Sequence, residues 1–359
     1  MPRWSKKDTD AIAIVRSKCA EELKGVEAFP EVVGDRRILR FIKGHPESIE
    51  LASEMFAKFL KWRKETGVDA WRNDIVTGGA DHPTKFPGAD VIGKLIPSIQ
   101  CTLGTCTDKL GSPLCVDQYD FNPNDILEKI ELDDYIKYAV YGLEYKMMIL
   151  DQRSHEMEKK FLADLSEEDR EKALEPYGEH FEGWGYQFTL YTCVIRDLGG
   201  VGWGHLGEKG RQIMSAVIGL ASDNYPELLR KCIMINTPWL FSTVWTLVKG
   251  WLAAKTVEKI SMVGTDFKGA VMEEVEEHNI PEMVGGPYKG GISYEKFDFD
   301  VEWLTTPFEP DVLCDEQSVP QAVGHRKSSG DGLTTSESDS SPPPAPLTGA
   351  DSAAPPAAP

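Results

Sequence analysis

Between Cys232 and Gly264 the chain reads CIMINTPWLFSTVWTLVKGWLAAKTVEKISMVG, and this stretch limits the fold more than any other. It opens with Cys232-Ile-Met-Ile235, a short apolar run of the length and type of a buried strand. It closes with Ile260-Ser-Met-Val263, a second such run stopped by Gly264. Between them Leu240, Phe241, Val244, Trp245, Leu247, Val248, Trp251 and Leu252 recur at helical spacing, which predicts a helix over 239–252. Strand, crossover helix, strand implies a parallel pair in a sheet covered by helices. The helix is unusual in that its apolar residues cover well over half its circumference. A helix lying on a sheet needs a stripe of roughly 100°. The surplus, two tryptophans and a phenylalanine, calls for a second apolar environment, either another layer or an apolar ligand cavity that the helix closes.

Other short signatures surround this unit in a fixed order. They are Tyr225-Pro226-Glu227, Ile235-Asn236-Thr237-Pro238, Phe241-Ser242-Thr243, the helix end Trp251-Leu252, Thr256-Val257-Glu258-Lys259-Ile260, and Ile280-Pro281 with Gly285-Gly286. Upstream, an LRF-type helix (Asp35–Lys43) precedes a WRK-type one (Lys61-Trp62-Arg63-Lys64). In order and spacing these pieces resemble the CRAL-TRIO lipid-binding family, the secretory-pathway phosphatidylinositol transfer proteins and their relatives, from roughly Asp35 to Lys289. The resemblance implies an α/β fold: a helical N-terminal lead-in, then a mixed, mainly parallel sheet flooring an apolar pocket closed by a gate helix. It implies a gate and acyl pocket built from Phe241, Val244, Trp245, Val248, Trp251 and Leu252. It implies a lipid headgroup site at Glu227, Thr256 and Lys259, with Thr192 as one of two hydroxyls used for phosphatidylcholine; the second falls on Val194. The basic residues that follow the family's LRF helix fall here on His45 and Pro46. Phosphatidylinositol is the ligand this pattern favours.

Charge narrows the partners. The net charge is −19, from 39 Lys+Arg against 58 Asp+Glu, and phosphate backbones require the opposite, so nucleic acid is not an expected partner. The acid is uneven. Residues 1–64 hold 14 basic and 10 acidic side chains, whereas 151–185 hold 5 and 11. The basic excess reads as a solvated face, or as a surface that orients the protein on an anionic membrane. The seven cysteines sit mostly in apolar segments without framework spacing, so they are expected to be reduced thiols used as small hydrophobes. Cys101, Cys106 and Cys115 do not have the gaps of a zinc knuckle, so no metal is expected. MPRWSKKDTD is not followed by an apolar signal core, and no uncharged run reaches the roughly 18 residues of a membrane span. A cytoplasmic protein is expected, associating peripherally with Golgi/ER-type membranes.

The chain divides as follows. Residues 1–75 form the helical lead-in, with Ile12, Val15, Cys19 and Leu23 on one helix face and Asp35 as N-cap of the next helix. Residues 76–289 form the lipid-binding domain. Within it a hairpin is expected from Leu95–Cys106 and Leu114–Tyr119 around the turn 108–111, then a long helix from Asn124 to about Leu150. Residues 151–185 form an inserted, charged helical excursion in which Ser166-Glu-Glu-Asp169 marks a helix start. Residues 290–314 form an aromatic-rich extension that packs back on the domain. Residues 315–359, rich in Ser, Pro, Ala and Gly, form a disordered tail.

One rival motif stands out. Thr189–Leu198 reads as a buried strand, and Gly202-Trp-Gly-His-Leu-Gly207 after it fits the G-x-G-x-x-G pattern of dinucleotide sites. It starts four residues past the strand, the next strand ends without an acid, and Trp203 and His205 crowd the approach. The chain offers no nucleophile elbow, Walker loop or metal motif. The expectation is therefore a protein that is not an enzyme and has no cofactor. It binds one phospholipid and transfers or presents it between membranes, touching the membrane surface transiently. The alternatives are a lipid-dependent regulator or scaffold of a lipid kinase or trafficking partner, a carrier of another hydrophobic ligand, and, more remotely, a nucleotide-dependent enzyme using Gly202–Gly207.

Overall fold

In the computed structural model, which describes residues 3–95, 99–101, 106–174, 183–239, 241–289 and 297–309, one five-stranded sheet organises the chain. Its strands lie in sequence order: β1 (Ile99–Cys101), β2 (Leu114–Gln118), β3 (Thr192–Asp197), β4 (Leu229–Ile235) and β5 (Ile260–Met262). β1 pairs antiparallel with β2, and β2 to β5 are parallel throughout. The mixed, mainly parallel sheet and the hairpin expected from the sequence are both present. The hairpin turn is held by the Asp108 carboxylate, which accepts from the backbone of Leu110 at 2.8 Å and Ser112 at 2.9 Å.

Alternation along the strands assigns each residue to a face. Cys115, Val194, Cys232 and Met234 face one side; Leu114, Val116, Cys193, Ile195, Ile233 and Ile235 face the other. The second side is sealed by Val271, Val275, Ile280 and Val284. The first receives the crossover helices: Leu132–Asp164 through Tyr141, Tyr145, Met148 and Ile149, Glu208–Asn224 through Met214 and Ile218, and Phe241–Lys249 through Phe241, Val244 and Val248. Phe297, Phe299, Trp303 and Leu304 pack onto the same cluster, so this described part of the aromatic extension does fold back.

The βαβ unit matches its sequence pattern except that its helix is shorter at both ends, starting at Phe241. The helix ends at Lys249, not at Leu252; Gly250, the residue with the poorest non-proline helix propensity, follows, and Trp251 and Leu252 lie in a turn before a short helix, Ala254–Glu258. The long helix is also longer than expected: it starts at Leu132 and runs unbroken to Asp164, so the first half of the charged 151–185 stretch continues it. The second helix of that stretch, Glu167–Leu174, starts where expected, with the Ser166 hydroxyl accepting from Asp169 N at 3.1 Å. Residues 175–182, 290–296, 310–314 and the expected tail 315–359 lie outside the described residues.

The lead-in overturns one expectation. Asp35 is not an N-cap. It is the first residue of the Asp35–Gly44 helix, and its carboxylate takes the Arg16 guanidinium at 2.6 Å. Of the 14 basic side chains of residues 1–64 eight are exposed, but Arg36, Arg37, Arg40 and Arg63, with Arg72 just beyond, are inside. Arg36 pairs with Asp151 and, at 2.7 Å, with Glu158; Arg63 with Glu144 at 2.8 Å; Arg72 with Glu31 at 2.7 Å. Arg37 and Arg40 donate to the carbonyls of Asn224 and Leu190. Charge that looked like surface in the sequence neutralises the acidic face of the Leu132–Asp164 helix across a buried seam. Pairing is required there, since an unpaired buried charge costs several kcal/mol.

Candidate lipid-binding site

Three of the four headgroup candidates gather at one edge of the sheet, where the parallel strands begin. Lys259 immediately precedes β5, and its Nζ lies 2.8 Å from Glu227 Oε2, just before β4. Both side chains are half-buried. Glu227 has φ +55°, a left-handed conformation that non-glycine residues rarely adopt and that concentrates at functional sites. The carbonyl of Glu227 is gripped by Arg40 Nη1, while Arg40 Nη2 reaches Leu190 O at 2.7 Å. Thr192, at the start of β3, is close by but occupied: its hydroxyl donates to Leu228 O at 3.0 Å. Thr256 is half-buried one turn before Lys259, whose backbone N–H it accepts at 3.2 Å.

Arg40 belongs to this edge and was not among the sequence candidates. Burial lowers its pKa, its Nε has no hydrogen-bond partner among the described residues, and its guanidinium lies 5.1 Å from the Tyr191 ring centre. The signal was there in principle, as three arginines (36, 37, 40) interleaved with Ile38, Leu39 and Phe41 on one short helix. His45, at the position carried over from the family's basic residues, lies 3.9 Å from Glu47 instead.

The gate candidates share one wall. Phe241, Val244 and Val248 are buried against the sheet and the long helix, and Trp245, Trp251 and Leu252 are half-buried against the same cluster. The opposite face, Ser242, Thr243, Thr246 and Lys249, is exposed. Two of its hydroxyls turn back on the helix, Ser242 to Trp239 O at 3.1 Å and Thr246 to Ser242 O at 2.9 Å. Packed against the same cluster, Tyr119, Tyr138, Met214, Ile218 and Ile260 are apolar yet keep part of their surface accessible. At the far end of the strands Trp203 and Trp239 are 71% and 81% exposed, with ring centres 6.4 Å apart.

One glycine of the motif, Gly204, serves packing together with Gly200 before it, whereas a Cβ at Gly202 would meet open space. A Cβ at Gly200 would sit 2.3 Å from Tyr119 O, and one at Gly204 2.6 Å from Asn122 Oδ1, so these glycines admit the segment after β2. Of the two residues expected to crowd a nucleotide, His205 does fill the loop from inside, whereas Trp203 points outward. His205 is buried against Phe121, its ring centre 5.3 Å away, and burial lowers its pKa.

Comparison with known proteins places this arrangement. Residues 181–286 match the CRAL/TRIO domain. The chain is 28% identical over 259 residues to "Sec14 cytosolic factor" of Schizosaccharomyces pombe, covering 72% of this chain and 76% of that one. It is 25% identical over 279 residues to "Phosphatidylinositol/phosphatidylcholine transfer protein SFH12" of Arabidopsis thaliana, covering 74% of this chain and 44% of the relative. It is also 25% identical to SFH9 of the same plant, of which it covers 37%. The chain thus spans less than half of these two plant relatives. A crystal structure of Sfh5 aligns with 77% of this chain and 90% of its own, at 17% identity and a TM-score of 0.44. None of these names is that of a reaction. Among the described residues no helix is long and apolar enough to cross a membrane.

Proposed function

We propose that this chain, which carries a CRAL/TRIO domain and is similar to Sec14-type proteins, holds one phospholipid, phosphatidylinositol, in the cleft under the Phe241–Lys249 helix and moves it between membranes. The observation that carries the reading is that helix. It buries Phe241, Val244 and Val248 against a cluster of partly accessible apolar side chains while showing water Ser242, Thr243, Thr246 and Lys249. A two-chain lipid brings some thirty methylenes worth about 0.8 kcal/mol each, so it stays covered in transit. Pocket and bilayer are both apolar, so the two bound states nearly balance and exchange is possible. Lifting the helix in water exposes three large side chains at about 1.5–3 kcal/mol each; lifting it at a bilayer does not.

Lys259, Glu227 and Thr256 form the headgroup site in this reading, with Lys259 leaving Glu227 to take the inositol phosphate. Trp203 and Trp239 give the membrane contact. Tryptophan favours the headgroup level of bilayers, and the exposed Lys249 lies on the helix that follows Trp239. Golgi/ER-type membranes are the surfaces on which we expect it to act, and a lipid kinase or trafficking protein is the receiver we propose for the presented lipid.

The test is transfer of labelled phosphatidylinositol between vesicles. Trp245→Ser with Trp251→Ser is expected to abolish transfer without unfolding the protein. Unaltered transfer would remove the gate from the account.

A further inference from the structure

Three contacts tie the Asp35–Gly44 helix of the lead-in to the headgroup edge. Arg40 is 2% exposed and, unlike Arg36, Arg63 and Arg72, makes no ion pair among the described residues. Its two terminal nitrogens go instead to carbonyls of two separate segments, Leu190 before β3 and Glu227 before β4. At the end of the same helix a Cβ on Gly44 would lie 3.1 Å from that of Pro226. Lys255, on the short helix that leads into Lys259, donates to Lys43 O at 3.3 Å.

Glu227 is the residue that needs holding. Two non-glycine residues among those described have positive φ, Glu227 at +55° and Asn236 at +51°. Asparagine enters that region readily, and Asn236 also anchors its side chain on Asp197 at 2.9 Å. Glutamate has no such local aid, and the conformation persists only where the surroundings over-determine it. Arg40 holds Glu227 by its carbonyl, and Lys259 holds it by its carboxylate. The planar guanidinium fork bridges two carbonyls, which a compact ammonium does not.

We propose that Arg40 is a positioning residue for the headgroup: from the lead-in helix it locks Glu227 in the left-handed turn that sets its carboxylate against Lys259. Both groups are then in place before an inositol phospholipid arrives, and groups already in place lose less freedom on binding. This role rests on the headgroup site proposed above. Through it the lead-in sets which headgroup the lipid-binding domain keeps, without touching the lipid.

The experiment reads the ratio of phosphatidylinositol to diacylglycerol of the same acyl chains that the full chain takes from vesicles holding both. Arg40→Met is expected to lower that ratio about tenfold, the scale of one hydrogen bond to a charged group, because diacylglycerol has no phosphate to place. A loss of packing alone lowers uptake of both lipids and leaves the ratio where it was, which overturns the positioning role. Lys259→Ala is expected to lower the ratio too, and Arg40→Met added to it to lower it no further, since residues that act as a unit are not additive. A second fall of the same size means that Arg40 acts without Lys259 and overturns the role as well. Should Arg40→Met not fold, Arg40→Lys, which keeps the charge but not the fork, carries the same test. A ratio untouched in Lys259→Ala, or a wild-type chain that takes neither lipid, overturns the headgroup reading itself. A ratio lowered by Lys259→Ala and unmoved by the Arg40 variants overturns the role of Arg40 alone.

Discussion

Val244→Ala tests whether the Phe241–Lys249 helix moves as a gate. Val244 is 2% exposed and sits between the sheet and the long helix. Truncation removes two carbon groups at about 0.8 kcal/mol each, so the seated helix loses about 1.6 kcal/mol relative to any state in which it has lifted. If lifting is a local event, the opening equilibrium rises about fifteen-fold, since 1.4 kcal/mol is a factor of ten. Amide hydrogen exchange reads this directly. The backbone N–H groups of 245–249 should exchange about fifteen-fold faster, while those of 193–197 and 232–235 in the central strands keep their protection. If strand and helix amides accelerate by the same factor, the helix is released only by global unfolding, and the gating argument fails.

Three further outcomes follow from the same structure. Arg72→Met leaves Glu31 buried without its partner and should cost about 3–5 kcal/mol in denaturant unfolding at neutral pH; a loss under about 1 kcal/mol would mean the seam is not held by charge. Glu144 is subject to burial, which raises its pKa, but Arg63 and the Tyr225 hydroxyl outweigh this and hold it below the ordinary value of 4.5. Its contribution is therefore complete above pH 4.5 and lost as the pH falls through the lower folded value, so stability should drop on that acid limb, and Glu144→Gln should be weaker at pH 7 with a shallower limb; an unchanged limb would contradict this. Trp203→Ser with Trp239→Ser should lower adsorption to anionic vesicles about tenfold or more without changing thermal stability, read by sedimentation with the vesicles; unchanged adsorption would move the membrane contact elsewhere.

How much of this was legible depends on how local the physics is. β4, the gate helix and β5 could be read from the sequence because run length and periodicity are properties of neighbouring residues. The helix end was misjudged by three residues: Trp251 and Leu252 continue the apolar pattern, but Gly250 breaks the backbone beneath it. Asp35 has the residue type and place of a cap, yet Arg16 from another helix claims its carboxylate. The partners of the buried arginines left no local trace. Arg36 meets Asp151 across 115 residues and Arg63 meets Glu144 across 81, and arginines are mostly exposed unless paired. The neighbourhood of Glu227 and Lys259 was accessible through the spacing of the motifs that carry the family resemblance, whereas the place of Arg40 beside them became visible only once strands and helices were placed.

The central claim, a lipid in the cleft with its headgroup at the Glu227–Lys259 edge, is tested most directly by native mass spectrometry of the purified chain with extraction of what it carries. The account predicts an adduct of phosphatidylinositol mass that disappears in Lys259→Ala while the protein remains folded. A chain that carries phosphatidylinositol equally well without Lys259, or that takes up no lipid when offered vesicles, would contradict it.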